Sequence, residues 1–187
     1  MGPFDCAPRT LAACQAVLRR LTEDDLARPS PCTEYTVGEV GQHLVRSMVL
    51  LASVAGERLG SPAAGPLEGQ VTATAEAALA AWRGRGLGGS VAVGRSTLPA
   101  SLAVEIIPLE LLVHGWDIGR ATGGDIDVPP EVAGYVLGCA RELITQDKRG
   151  RSFAAEVPGP AQDVTRDLRR DVDLRPGRPG DVPAVHK

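Results

Sequence analysis

The chain has 187 residues, a formal net charge of −3 and four cysteines; 43% of it is hydrophobic but only 3% aromatic. That length fits one domain with a real core, and a slightly acidic balance with scattered basic residues excludes a nucleic-acid partner. There is no charged-then-apolar leader and no apolar run near the ~20 residues of a membrane span, so a cytoplasmic protein with no membrane partner and four reduced thiols is expected. A core of Ala, Val and Leu suits helices packed on helices better than a sandwich or barrel.

Between Ala7 and Leu26 the residues Leu11, Cys14, Leu18 and Leu21 recur every three or four positions, the spacing of one face of a first helix. The stretch Arg28-Pro-Ser-Pro-Cys-Thr-Glu-Tyr35 cannot continue it, because two prolines remove backbone donors and push their neighbours into extended φ/ψ. Thr36-Val-Gly-Glu39 reads as a capping box that opens a second helix. Its buried stripe is Val37, Val40, Leu44, Met48, Leu51 and Ala55. His43, Ser47, Leu50 and Val54 form a second stripe beside it, and Glu39, Gln42, Arg46 and Ser53 point outward, so His43 falls at the border of a wide buried face.

After a break at Gly60 to Pro66, the residues Leu67, Val71, Ala75, Leu79 and Trp82 mark a third helix, ended by Gly84, Gly86, Gly88 and Gly89. Ser90-Val-Ala-Val93, with a turn at Gly94, reads as a short extended piece rather than a sheet. A fourth helix begins near Pro99 and runs to Ala121. Pro108 frees the carbonyl of Val104 and predicts a kink just before Glu110, and Thr122-Gly-Gly124 closes the helix. Asp127-Val-Pro-Pro130 starts a further helix with Val132, Val136, Cys139 and Leu143 as its seam. Beyond a loop after Phe153, a charged helix over 161–171 interleaves Arg166, Arg169 and Arg170 with Asp163, Asp167 and Asp171, the pattern of a solvated face. The tail from Leu174 to Lys187 has little to bury and is expected to be mobile. The reading is all-α: a four-helix bundle over residues 1–160, with a short extra helix and tail over 161–187.

The chemistry concentrates in the most apolar segment, Ser101 to Ala121. At 100° per residue, Glu110, His114 and Asp117 fall on one face of that helix. A buried carboxylate needs a neutralising companion, and an imidazole one turn away is the usual companion in a metal site. Glu110 and His114 offer two ligands from one helix and His43 a third from another, which with an open position is what catalytic zinc sites provide. The plain alternatives are a local Glu110–His114 ion pair and a hydrogen-bonded structural His43. Asp117 either orients a ligand from behind or bonds a backbone amide near the helix end. Trp116 fills the core, Cys32 is structural because no base or cation flanks it, and His186 in the tail takes no role.

Two motifs, Pro31-Cys-Thr-Glu-Tyr-Thr-Val-Gly-Glu-Val-Gly-Gln-His43-Leu and Glu110-Leu-Leu-Val-His-Gly-Trp-Asp117, resemble the DinB-like superfamily, and within it the actinobacterial metal-binding proteins allied to mycothiol-dependent maleylpyruvate isomerase. The similarity spans roughly residues 8 to 155. An arginine-rich chain whose only lysines are Lys148 and Lys187 fits a GC-rich bacterium of that kind. The resemblance implies a four-helix bundle holding a divalent metal ion, zinc first among them, on His43, Glu110 and His114. It implies mycothiol as a co-substrate and a small-molecule substrate. It leaves room for a homodimer.

Two departures stand out. The isomerase's second α/β domain has no room in the residues after Gln146, and Tyr35 stands where the family motif has Trp. The expected function is therefore a metalloenzyme with thiol-dependent isomerase or S-transferase chemistry. The alternatives are a thiol-independent metal-dependent hydrolase, lyase or cyclase, and a non-catalytic metal- or ligand-binding protein.

Overall fold

In the computed structural model, which describes residues 1–145 except 33, 34 and 63, the first helix, α1 (Pro3–Leu18), starts earlier than the apolar periodicity predicts. Pro3 has no N–H to leave unpaired in the first turn, and the Asp5 carboxylate accepts from the Gly2 N–H at 3.3 Å. It also ends earlier. The expected single helix from Ala7 to Leu26 is two elements, because the Asp25 carboxylate takes the Thr22 N–H at 2.9 Å and its hydroxyl at 2.7 Å, and the chain resumes as one 3-10 turn, Asp24–Ala27.

Helix α2 (Val37–Val54) opens as expected: the Thr36 N–H donates to Glu39 at 2.8 Å and the Glu39 N–H to the Thr36 hydroxyl at 3.3 Å. Val37, Val40, Leu44, Met48 and Leu51 are buried, the stripe from His43 to Val54 is half-buried, and Glu39, Gln42, Arg46 and Ser53 are exposed. Helix α3 (Leu67–Arg85) ends at Gly86, whose φ of +78° suits glycine. It packs closely on α2, since a Cβ at Gly41 would lie 2.1 Å from Leu67 Cδ2. The fully buried Trp82 donates its indole N–H to the Leu51 carbonyl at 3.0 Å.

The segment expected to be merely extended is a paired strand. β1 (Ser90–Val93) and β2 (Ser96–Pro99) form an antiparallel hairpin that turns at Gly94, with Val91 opposite Leu98. Four residues are too few to show a convincing period of two, so the pairing left no clear trace in the pattern.

The fourth helix is divided. α4 (Ala100–Ala103) stops, the chain turns at Val104 and Glu105, and α5 (Ile106–Ala121) follows. The interruption lies nearer to the freed carbonyl than to Pro108. The Val104 carbonyl, denied its α-helical donor by Pro108, accepts from the Ile107 N–H at 3.1 Å, a 3-10 bond. Thr122 caps α5 and Gly123 takes φ +81°. Helix α6 (Pro130–Leu143) buries Val132, Val136 and Leu143 and half-buries Cys139.

α1 packs on α5 and α3, and α2 on α3 and α5, so the four long helices close a ring with α6 laid against α1 and α5. The all-α bundle stands, and the hairpin is its only sheet among the described residues. Gly115 permits the close α1–α5 approach: a Cβ there would lie 2.7 Å from Ile126 Cδ1 and 3.4 Å from Cys14. All four cysteines are free. No helix of the described residues is long and apolar enough to cross a membrane. The expected charged helix over 161–171, with Arg166, Arg169 and Arg170, and the tail from Leu174 lie outside the described residues.

The turn at Glu105 buries a carboxyl group against α6. Glu105 accepts from the Tyr135 hydroxyl, and its Oε2 is buried with no hydrogen-bond partner among the described residues. Burial raises its pKa above the usual 4.5, opposed by hydrogen bonds with Tyr135 and Cys139. The folded state thus holds this proton more tightly than the unfolded chain, so the stability it confers is complete below pH 4.5 and lost as pH rises through the folded value. Glu105→Gln should therefore gain stability relative to the unmodified chain as pH rises above 4.5. Urea unfolding at several pH values measures this, and a constant difference would contradict it.

Candidate metal centre

The packing of α2 against α5 sets His43 opposite Glu110 and His114. His43 Nε2 lies 3.3 Å from Glu110 Oε2, and His114 Nε2 lies 3.6 Å from the same oxygen. The two imidazoles meet edge to face with centroids 4.9 Å apart. One ligand atom from each of the three residues lies within 4.8 Å of the others. The structure thus brings together all three residues that the spacing singled out.

Exposure falls steadily into the protein. The His43 side chain is 35% exposed, Glu110 16%, His114 4% and Asp117 0%. The cluster therefore meets solvent at its His43 end and is enclosed at Asp117. Glu110 Oε2 and His114 Nε2 are both buried, and neither makes a hydrogen bond with any described residue. With the Nδ1 proton committed to Asp117, His114 Nε2 and Glu110 Oε2 both turn lone pairs towards the same space without a hydrogen bond, which is what a divalent ion would satisfy. The residues fit such an ion.

Asp117 lies behind His114, the first of the two positions open to it. Its Oδ2 accepts from His114 Nδ1 at 3.2 Å, which turns Nε2 towards Glu110. Cys32, expected to be structural, is 3% exposed and places Sγ 3.2 Å from the same carboxylate oxygen. The Pro-Cys turn carries it there: the Ser30 N–H donates to the Tyr35 carbonyl at 3.0 Å and the Tyr35 N–H to the Cys32 carbonyl at 2.8 Å. Tyr35 stacks on His43 with centroids 6.3 Å apart, and Ser47 Oγ lies 3.4 Å from His43 Nε2. Ser47 was within reach of sequence reasoning, since it sits one turn from His43 on the same stripe. The Cys32 and Tyr35 contacts were not. Trp116 is half-buried at the core's edge, with the Arg120 guanidinium 5.9 Å above its ring. His186 lies outside the described residues.

The charges reinforce one another. Burial pushes the Glu110 carboxyl up, but the His43 imidazole facing it at 3.3 Å and the charge of His114 prevail and hold it at about 2. Burial pulls the His114 imidazole down, but hydrogen bonds with Asp117 and Cys32 and the Glu110 charge raise it to about 10. In metal-free protein the Glu110 contribution is complete above pH 4.5 and is lost as pH falls towards 2. That of His114 is complete below pH 6.5 and is lost as pH rises through 10. Denaturant unfolding in chelator should therefore show the gap between the unmodified chain and Glu110→Gln/His114→Gln widest between pH 4.5 and 6.5 and narrowing on both sides. A gap that does not vary with pH would refute the pairing.

Comparison with known proteins places residues 8–119, from within α1 to the last turn of α5, in a match with the family described as the mycothiol maleylpyruvate isomerase N-terminal domain. Two uncharacterized proteins of Mycobacterium tuberculosis, one from each of two strains, are each 29% identical over 174 residues, covering 87% of this chain and 91% of their own length. No solved structure matches the chain at a significant level.

Proposed function

From the premise that the chain belongs to the mycothiol maleylpyruvate isomerase N-terminal domain family, we propose that it is a divalent-metal enzyme of thiol-dependent isomerase or S-transferase type. His43, Glu110 and His114 hold the ion, and zinc suits a set of two imidazoles and one carboxylate. The observation that carries this reading is the orphaned pair Glu110 Oε2 and His114 Nε2, buried and converging with the partly exposed His43. The family name supports mycothiol as the thiol. When bound, such an ion supplies Lewis-acid chemistry and lowers the pKa of a thiol towards neutrality.

The chain's own residues perform the remaining tasks. Asp117 fixes the His114 ring by accepting its Nδ1 proton, leaving Nε2 free to coordinate. Glu110 stays ionised and contributes the negative charge that offsets a cation. Leu111, Leu112 and Val113, between Glu110 and His114 on α5, are buried in the core and hold the helix in place. A thiol and a small substrate enter at the solvent-facing His43 end, beside the Tyr35 ring.

Protein purified without a chelating tag should carry about one divalent ion per chain, and His43→Ala, Glu110→Ala and His114→Ala should each remove most of the zinc-dependent rise in Tm. At zinc about 100-fold above Kd that rise corresponds to about 2.7 kcal/mol. No bound ion, together with an unchanged zinc response in all three variants, would sink the metal reading.

A separate measurement addresses the thiol. Adding mycothiol to the cobalt-substituted protein should change its visible spectrum. An unchanged spectrum would leave the metal reading standing and direct the chemistry to a thiol-independent hydrolase or lyase.

A further inference from the structure

We infer that Cys32 is a positioning residue: its thiol, bonded to Asp117, holds that carboxylate where it aims His114 at the metal cleft, and the turn that carries Cys32 thereby braces both histidines of the centre. This inference rests on the metal reading above.

His114 and Asp117 are three residues apart on the same helix, so their contact ties two side chains of α5 to each other and to no second element. Cys32 comes from 85 positions away in sequence, is nearly inaccessible, and points Sγ at Asp117 Oδ2 from 3.2 Å. An S–H group is a weak donor, but a carboxylate that is fully buried gains from every donor it meets. The backbone bonds between Ser30 and Tyr35 pin the turn, and the Ser30 hydroxyl adds a bond to the Cys32 carbonyl at 3.0 Å and one to the Tyr35 carbonyl at 2.7 Å. At the other end of this turn Tyr35 lies against the His43 ring. Cys32 thus reaches His114 through Asp117, while Tyr35 stacks on His43.

Cys32, Asp117 and His114 also offer three ligand atoms within 4.8 Å of one another, which raises the question of an ion on that side of the ring. Those atoms already face one another as donors and acceptor, through the Cys32–Asp117 and His114–Asp117 bonds. The orphaned atoms lie on the opposite edge of His114, towards Glu110. The demand for a ligand is there, and the Cys32 side serves as the support.

The test compares Cys32→Ala, which removes the donor, with Cys32→Ser, which restores one. Zinc affinity measured by chelator competition should fall about 10- to 100-fold in Cys32→Ala and stay within about threefold of the unmodified chain in Cys32→Ser. In metal-free protein, the His114 Nδ1 proton should resist solvent exchange in the unmodified chain and in Cys32→Ser and exchange rapidly in Cys32→Ala. The Trp82 indole proton, bonded to Leu51 on the far helix pair, should stay protected throughout.

Unchanged affinity and proton protection in Cys32→Ala would overturn the inference while leaving the metal reading intact. Loss of protection at Trp82 as well would overturn it in favour of a general packing role. A sulfur-to-cobalt charge-transfer band without added thiol, lost in Cys32→Ser, would overturn it by making Cys32 a ligand. If the unmodified chain has no zinc affinity, the metal reading falls, and the His114 proton alone decides whether Cys32 braces the ring.

Discussion

The constraint on which this molecule turns is the cost of carrying ionisable groups on its most enclosed helix. α5 is walled by α1, α2 and α6, so water is scarce around Glu110, His114 and Asp117, and each needs a partner from the protein. Asp117 receives the His114 ring and the Cys32 thiol, and Glu110 lies against His43. One polar edge, between Glu110 Oε2 and His114 Nε2, remains unanswered. The helix cannot roll to hydrate that edge, because Gly115 has already brought its opposite face into contact with Cys14 and Ile126. Packing and polarity are thus coupled through neighbouring residues: one side of the turn at 114–115 is fitted to α1, and the other carries the unsatisfied edge.

Much of this was legible in the chain. The capping box at Thr36 and Glu39 located the start of α2, and its stripes placed His43 at the rim of the buried face before any tertiary contact was known. Glu110 and His114 stood out because spacing along a helix is a local property. What escaped was long-range or brief. Nothing within several residues of Cys32 announces Asp117, and a pair of four-residue strands is shorter than the window in which alternation can be counted. The early end of α1 depends on a single carboxylate capturing a backbone donor at Thr22, a competition that apolar periodicity does not record.

The family match ends at residue 119, whereas the mycobacterial relatives align over most of the chain. α6 lies beyond that match and yet seals the bundle, meeting α1 through Arg9 and Glu131 at 2.6 Å and the base of α5 through Tyr135 and Glu105. Its link to Glu105 lies five residues before Glu110. The helix that bears Glu110 and His114 is therefore anchored at its base by a segment outside the matched family domain.

The break at Val104 and Glu105 has a consequence for how such a protein can change. In an unbroken helix, inserting one residue upstream would rotate everything downstream by about 100° and carry Glu110 and His114 away from His43. Here the hairpin and α4 are joined to α5 by a non-helical step, with the Val104 carbonyl bonded to Ile107 in place of its helical partner. A change in hairpin length is therefore not carried along a continuous helix into α5. The face that α5 presents is set by its own packing on α1, α2 and α6, so the hairpin is free to vary while Glu110 and His114 keep facing His43.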